Sequence, residues 1–166
     1  MMIRQCFLSY AHYDHKACDR VVVHLKAVGR HLGFKIWADH GLRAGSQWST
    51  QLSTEISRSS IFVLLVTNDF LASDYIQERE LPAIRSKRND DNALVVPIIL
   101  RDSGWQYLCD RYVQAIPQDD SRRVLPCFEW PDPEKAFSIC ANEVGRAAAE
   151  WFGLVATSIF APKAPA

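Results

Sequence analysis

Ile61 to Val66, IFVLLV, constrains the fold of this chain more than any other stretch. Six consecutive apolar residues, among them one Ile and two Val, read as a strand buried on both faces. Such a strand is expected at the centre of a sheet. The polar Thr67, Asn68 and Asp69 follow, and a helical pattern then runs to Arg85. Glu78 and Glu80 lie on that helix, about one turn after Tyr75. Pro82 has no N–H to offer the carbonyl four residues back, so the carbonyl of Glu78 loses its helical partner. A carboxylate beside a locally opened helix, just past the end of a buried strand, is a place suited to chemistry.

The remaining segments set this stretch in a repeating pattern. Ile3 to Ser9 reads as a first strand and Tyr10 to His15 as a polar, aromatic turn. Val21, Leu25, Val28 and Leu32 recur at helical spacing, and Gly33 stands where a helix-ending glycine belongs. Phe34 to Ala38 is a short second strand. Asp39 to Gln47 is a loop with two glycines, expected to be mobile. Ser46 is a candidate N-cap for a helix bearing Trp48, Leu52 and Ile56. Ala93 to Leu100 is a fourth strand, with Pro97 either at a bulge or where the later half lacks a neighbour. Arg101 to Gln118 is irregular, with one helical turn around Tyr107 to Arg111, and Arg122 to Leu125 is a weak fifth strand. Pro133 opens a last helix whose face is Phe137, Cys140, Ala141, Val144, Ala148 and Trp151. The alternation of strands and helices predicts an α/β fold, a five-stranded parallel sheet with helices on both faces. Ligands in such sheets gather at the carboxyl ends of the strands.

Composition removes several alternatives. Nineteen basic residues balance nineteen acidic ones, which disfavours a nucleic-acid partner. The cluster Arg85, Lys87 and Arg88 is answered by Asp90 and Asp91 and reads as a solvated helix end. Five cysteines without CxxC spacing predict reduced thiols and a cytoplasmic setting. No apolar run approaches the ~20 residues that span a bilayer. There is no GxGxxG, GxxxxGK or GxSxG motif. His12 and His15 flank Asp14, a weak signal for zinc without a second ligand pair.

Four motifs in order then carry a resemblance. They are FLSYAHYD (Phe7–Asp14), WADHGLRAGSQW (Trp37–Trp48), FLASDYIQERELPAI (Phe70–Ile84) and VVPIILRDSGW (Val95–Trp105). Together they resemble a Toll/interleukin receptor (TIR) domain of the bacterial type, over roughly residues 1–152, with 153–166 left as an Ala/Pro-rich tail. The resemblance implies a flavodoxin-like sheet ordered 2-1-3-4-5. It implies NAD+ as substrate rather than as a resident cofactor, cleaved at the nicotinamide–ribose bond to ADP-ribose or a cyclic relative, in anti-phage immunity. The alternative within the family is a non-catalytic scaffold. The implied partners are other TIR domains and a separate sensor or effector protein, with no nucleic acid and no membrane.

By residue position alone, Glu78 and Glu80 are equal candidates for a catalytic carboxylate. The family pattern S-x-W-C-x-x-E chooses Glu80, which precedes Leu81. Ser73 matches its serine, and Tyr75 stands in place of the tryptophan, five residues before Glu80 rather than four. Ser9, Tyr10 and Ala11, closing the first strand, are candidates to approach the ribose or nicotinamide, or form a plain turn. Arg43 is a candidate phosphate contact on the two-glycine loop, with Asp39 as a second contact or a turn cap. Trp48 can stack on a flat ring, although its spacing from Leu52 and Ile56 suits a core residue.

Overall fold

The computed structural model describes residues 4–38, 46–109 and 113–156, with the backbone alone at 46–49. Four strands form one parallel sheet: β1 (Arg4–Ser9), β2 (Phe34–Ala38), β3 (Ile61–Val66) and β4 (Leu94–Ile99), ordered β2-β1-β3-β4. All six side chains of β3 are buried, between neighbours on both sides. Alternate residues face opposite helical layers. Leu8, Ile61, Val63, Leu65, Val96 and Ile98 pack under α1 (His15–Leu32) and α5 (Pro133–Phe152). Phe7, Phe62, Leu64 and Val66 pack against α2 (Ser46–Arg58), α3 (Asn68–Ala72) and α4 (Leu81–Asp91). Full burial of each such side chain contributes about 1.5–3 kcal/mol, so the sheet core dominates the stability of the fold.

The ends of the long helices follow from local chemistry. Gly33 closes α1 in the left-handed region at φ 77°, where a Cβ would be strained. Asp132 caps α5 by accepting from the Glu134 N–H at 3.0 Å, and Pro133 occupies its first turn. Gly145 lets α1 and α5 approach closely, since a Cβ there would lie 2.4 Å from Val28 Cγ1. Trp151, expected on the buried face of α5, is instead half exposed, and its indole N–H donates to the Asn92 carbonyl at 2.7 Å.

The expected fifth strand is corrected. Arg122–Leu125 forms no strand; Val124 makes one isolated antiparallel bridge to Gln118. Beside β4 there is one parallel bridge, between Ile98 and Ile116. The Ile116 N–H donates to the Pro97 carbonyl at 3.0 Å, and its carbonyl accepts from Ile99 N–H at 2.8 Å. Continuing this ladder toward the start of β4 would require an N–H at position 97 for the carbonyl of Gln114. Proline has none, so the pairing stops. It is thus the earlier half of β4 that lacks this neighbour among the described residues, and the flavodoxin-like class holds with four strands. The helical turn expected around Tyr107 to Arg111 lies partly outside the described residues; a 3-10 turn occurs at Trp105–Tyr107.

Candidate functional site

Four of the five buried polar side chains among the described residues gather where β1 and β3 end; the fifth, Ser59, lies before β3. Ser9, the last residue of β1, and Thr67, the first after β3, are each 1% exposed, and Asp14 and Glu80 are 5% and 6% exposed. A buried polar group without a partner is costly, and here all four are paired. The Ser9 hydroxyl donates to Glu80 Oε2. The Thr67 hydroxyl donates to Asp14 Oδ2 at 2.6 Å and accepts from the Phe70 N–H at 3.1 Å, capping α3.

Glu80 lies where the helix type changes. Between α3 and α4 the chain forms a π turn, Ile76–Glu80, closed by the Leu81 N–H donating to the Ile76 carbonyl. Such a turn joins residues five apart rather than four and takes in one extra residue. Pro82, lacking an N–H, sits in the first turn of α4, where none is needed. Tyr75 and Glu80 are five residues apart, one more than in the family pattern, and the π turn absorbs that residue. Ile76 and Glu80 point inward while Gln77, Glu78 and Arg79 are exposed. Glu78 and Glu80 thus differ in burial, Glu80 alone facing the interior.

The other expected site residues divide into two groups. Ser9, Tyr10 and Ala11 lie together at the end of β1, with Ala11 buried and its carbonyl accepting from the Asp14 N–H at 2.8 Å. Tyr75 is half-buried and packs against the core layer of α2 to α4. Asp39 and Arg43 lie outside the described residues, as does the side chain of Trp48, whose backbone is in the first turn of α2. Asp14 and Thr67 were not singled out by the sequence; the only sign was a hydroxyl residue immediately after a fully apolar strand. Leu81, next to Glu80, lines a separate cleft of about 350 Å³ with Asn68, Gln77, Pro82, Arg85 and Tyr107, which neither Ser9 nor Glu80 enters.

As to chemistry, the site offers a carboxyl group with one oxygen held by a neutral hydroxyl donor at the strand ends. Among the described residues, no group of three or more His, Cys, Asp or Glu side chains is placed to hold a metal ion. The His12 and His15 rings stack on each other at 5.7 Å. No helix among the described residues is long and apolar enough to cross a membrane.

The chain is similar to several known proteins. The chain is 32% identical over 160 residues to the uncharacterized protein y4lF of Sinorhizobium fredii (strain NBRC 101917 / NGR234), covering 96% of this chain and 47% of that protein. It therefore spans about half the length of the curated relative it matches. In the crystal structure of the RPS4 and RRS1 TIR domain heterodimer, a chain is superimposed with a TM-score of 0.55 at 13% identity, over 89% of this chain and 96% of that one. The TIR domains of the activated Roq1 resistosome that directly recognizes the pathogen effector XopQ match with a TM-score of 0.49 at 18% identity, over 84% of each chain. The family model for the TIR domain matches residues 6–134. That span runs from β1 through the π turn and β4 to the cap of α5, and on it this chain belongs to the TIR domain family.

Proposed function

We propose that this TIR domain cleaves NAD+ between nicotinamide and ribose, with Glu80 as the carboxylate that serves the reacting sugar. The observation that carries the proposal is the burial of Glu80 at the carboxyl ends of β1 and β3, held by the Ser9 hydroxyl. The reaction needs little machinery. The C–N bond to the ribose breaks, its electron pair leaves with nicotinamide as a neutral ring, and no general acid is required. The ribose becomes oxocarbenium-like, as in glycoside hydrolysis. A carboxylate in a site of low dielectric stabilises that positive charge and accepts hydrogen bonds from ribose hydroxyls. Ser9 keeps one oxygen in place, while Tyr10 and Ala11 supply backbone groups beside it and Tyr75 an aromatic edge. Asp39, Arg43 and Trp48 are proposed to meet the phosphates and a flat ring from the loop side. Attack by water yields ADP-ribose, and attack by the adenine ring yields a cyclic product. The product is proposed as a signal in bacterial immunity, read by a separate protein in the cytoplasm.

A neighbouring TIR domain is proposed to complete the site, consistent with the heterodimer among the family's solved structures. The neutral net charge opposes self-association only weakly. The test is to incubate the purified protein with NAD+ from nanomolar to high micromolar concentration and identify products by mass. Release of nicotinamide, with specific activity rising with concentration, is expected. If no nicotinamide appears at any concentration or under crowding, the non-catalytic scaffold reading replaces this one.

A further inference from the structure

We infer that Asp14 and Thr67 are positioning residues for Glu80, acting through a closed circuit of hydrogen bonds that begins and ends on the exit of β1. The circuit can be followed bond by bond. The Asp14 N–H donates to the Ala11 carbonyl at 2.8 Å, fixing the turn after β1. The Asp14 carboxylate accepts from the Thr67 hydroxyl at 2.6 Å, and Thr67 accepts from the Phe70 N–H at 3.1 Å. The Phe70 carbonyl accepts from the Ser73 N–H at 3.3 Å. Ser73 then begins the π turn twice over: its hydroxyl accepts from the Ile76 N–H at 3.3 Å and its carbonyl from the Gln77 N–H at 3.0 Å. The Ile76 carbonyl accepts from the Leu81 N–H, and Glu80, inside that turn, accepts from the Ser9 hydroxyl five residues before Asp14.

Two features make this more than a local cap. The crossed pairs run in opposite senses: a hydroxyl from β1 reaches a carboxylate beyond β3, and a hydroxyl just beyond β3 reaches a carboxylate beyond β1. All four side chains are buried, so water cannot replace a lost partner cheaply. Between them, Phe70 and Ile76 are buried in the same core layer, and a shift of α3 is passed to the π turn through packing as well as hydrogen bonds. Thr67 is thus one of the places where the register of the π turn is set. A helix cap serving α3 alone needs only the Thr67 oxygen as acceptor. The proton of that hydroxyl is committed to Asp14.

The experiment has two arms. The first is independent of any activity: amide hydrogen exchange in wild type, Thr67→Val, Thr67→Ser and Asp14→Ala. Thr67→Val and Asp14→Ala are expected to speed exchange by about tenfold or more at residues 76–81 as well as 68–72, and Thr67→Ser to restore wild-type protection. Faster exchange confined to residues 68–72 overturns the inference. The second arm rests on the proposed NAD+ cleavage. Thr67→Val is expected to lower kcat by about tenfold or more, with KM within about twofold, and Thr67→Ser to recover most of it, because a small misplacement of a catalytic group costs that much. A Thr67→Val protein with wild-type kcat per folded molecule, its melting temperature alone reduced, identifies a structural cap and overturns the inference. If the wild type releases no nicotinamide, the reaction assignment fails and hydrogen exchange alone decides the circuit. If Thr67→Val does not fold, Asp14→Asn, which keeps an acceptor for Thr67, is compared with Asp14→Ala by the same exchange criterion.

Discussion

The two helical layers over the sheet are built to different rules. On one, α1 and α5 are unbroken helices of 18 and 20 residues, joined through the glycine contact at Gly145. Their inter-helix polar contacts lie at the surface. Arg20 meets Glu134 at 2.6 Å and His24 meets it at 2.8 Å, with the carboxylate side chain 44% exposed. On the other, the path from α3 to α4 breaks into a five-residue helix, a π turn and an eleven-residue helix. There the polar contacts of Ser9, Asp14, Thr67 and Glu80 are buried. The contrast teaches that regular helices suffice where a surface has only to cover the sheet. The interruption lies where buried polar side chains meet the strand ends.

The sharpest way to break this contrast is at Glu80. Glu80→Gln keeps the size and removes the charge that would stabilise an oxocarbenium ion, so NAD+ cleavage is expected to fall at least about a hundredfold while folding and NAD+ binding persist. Glu78→Gln, on the exposed side of the turn, is expected to keep most activity. Product analysis on both variants checks this; a dead Glu78→Gln beside an active Glu80→Gln would reverse the assignment.

On the covering layer the expectation is the opposite. Gly145→Val drives a side chain into Val28, and overpacking of this kind costs about 1–3 kcal/mol. Denaturant melts should show the loss, with turnover per folded molecule unchanged. Loss of turnover without loss of stability would show that the covering layer is not functionally silent.

The loop 39–45 is the next way to sharpen the comparison. Arg43→Ala and Leu42→Asp are each expected to lower turnover several-fold, up to about tenfold or 1.4 kcal/mol, with little change in melting temperature. Wild-type turnover across a concentration series in both variants would remove the loop from the site and from assembly.

The smallest effect is expected at Glu134. The Arg20 guanidinium, and then the His24 ring, hold its carboxyl down from 4.5 to about 2. A depressed carboxyl stabilises the folded state above its unfolded pKa near 4.5 and loses that contribution as pH falls toward 2. Exposure and screening keep it under about 1 kcal/mol. Glu134→Gln should therefore melt slightly below wild type at neutral pH, with the gap closing between about pH 4.5 and 2. A gap that persists below pH 2 would point to packing rather than charge.

How far the sequence discloses the molecule follows the same division. The strand IFVLLV, the Gly33 stop and the Pro133 start were legible because each depends on local chemistry. The missing fifth strand was not. Pro97 marked trouble in β4, but which half would lack a neighbour depends on which way its nitrogen points, and that is set by the pairing with β3. Trp151 fits the periodicity of α5, yet it reaches a carbonyl at the far end of α4. Pro82 disclosed that the helix opens. It did not disclose that the opening takes in an extra residue, and the choice against Glu78 needed the family pattern. Asp14 and Thr67 were unreadable because their meeting is a matter of where two strand ends lie.

Pro97 has a further consequence. A parallel sheet with an open margin is ordinarily a template on which another backbone can crystallise strand by strand. Here the margin of β4 lacks one of the amide protons that such growth needs, and no substitution elsewhere can restore it. A copy that added its backbone along this margin would find no donor at position 97, so contact there leans on side chains. Contacts of that kind can be made and broken as concentration changes, which suits the concentration-dependent activity proposed above.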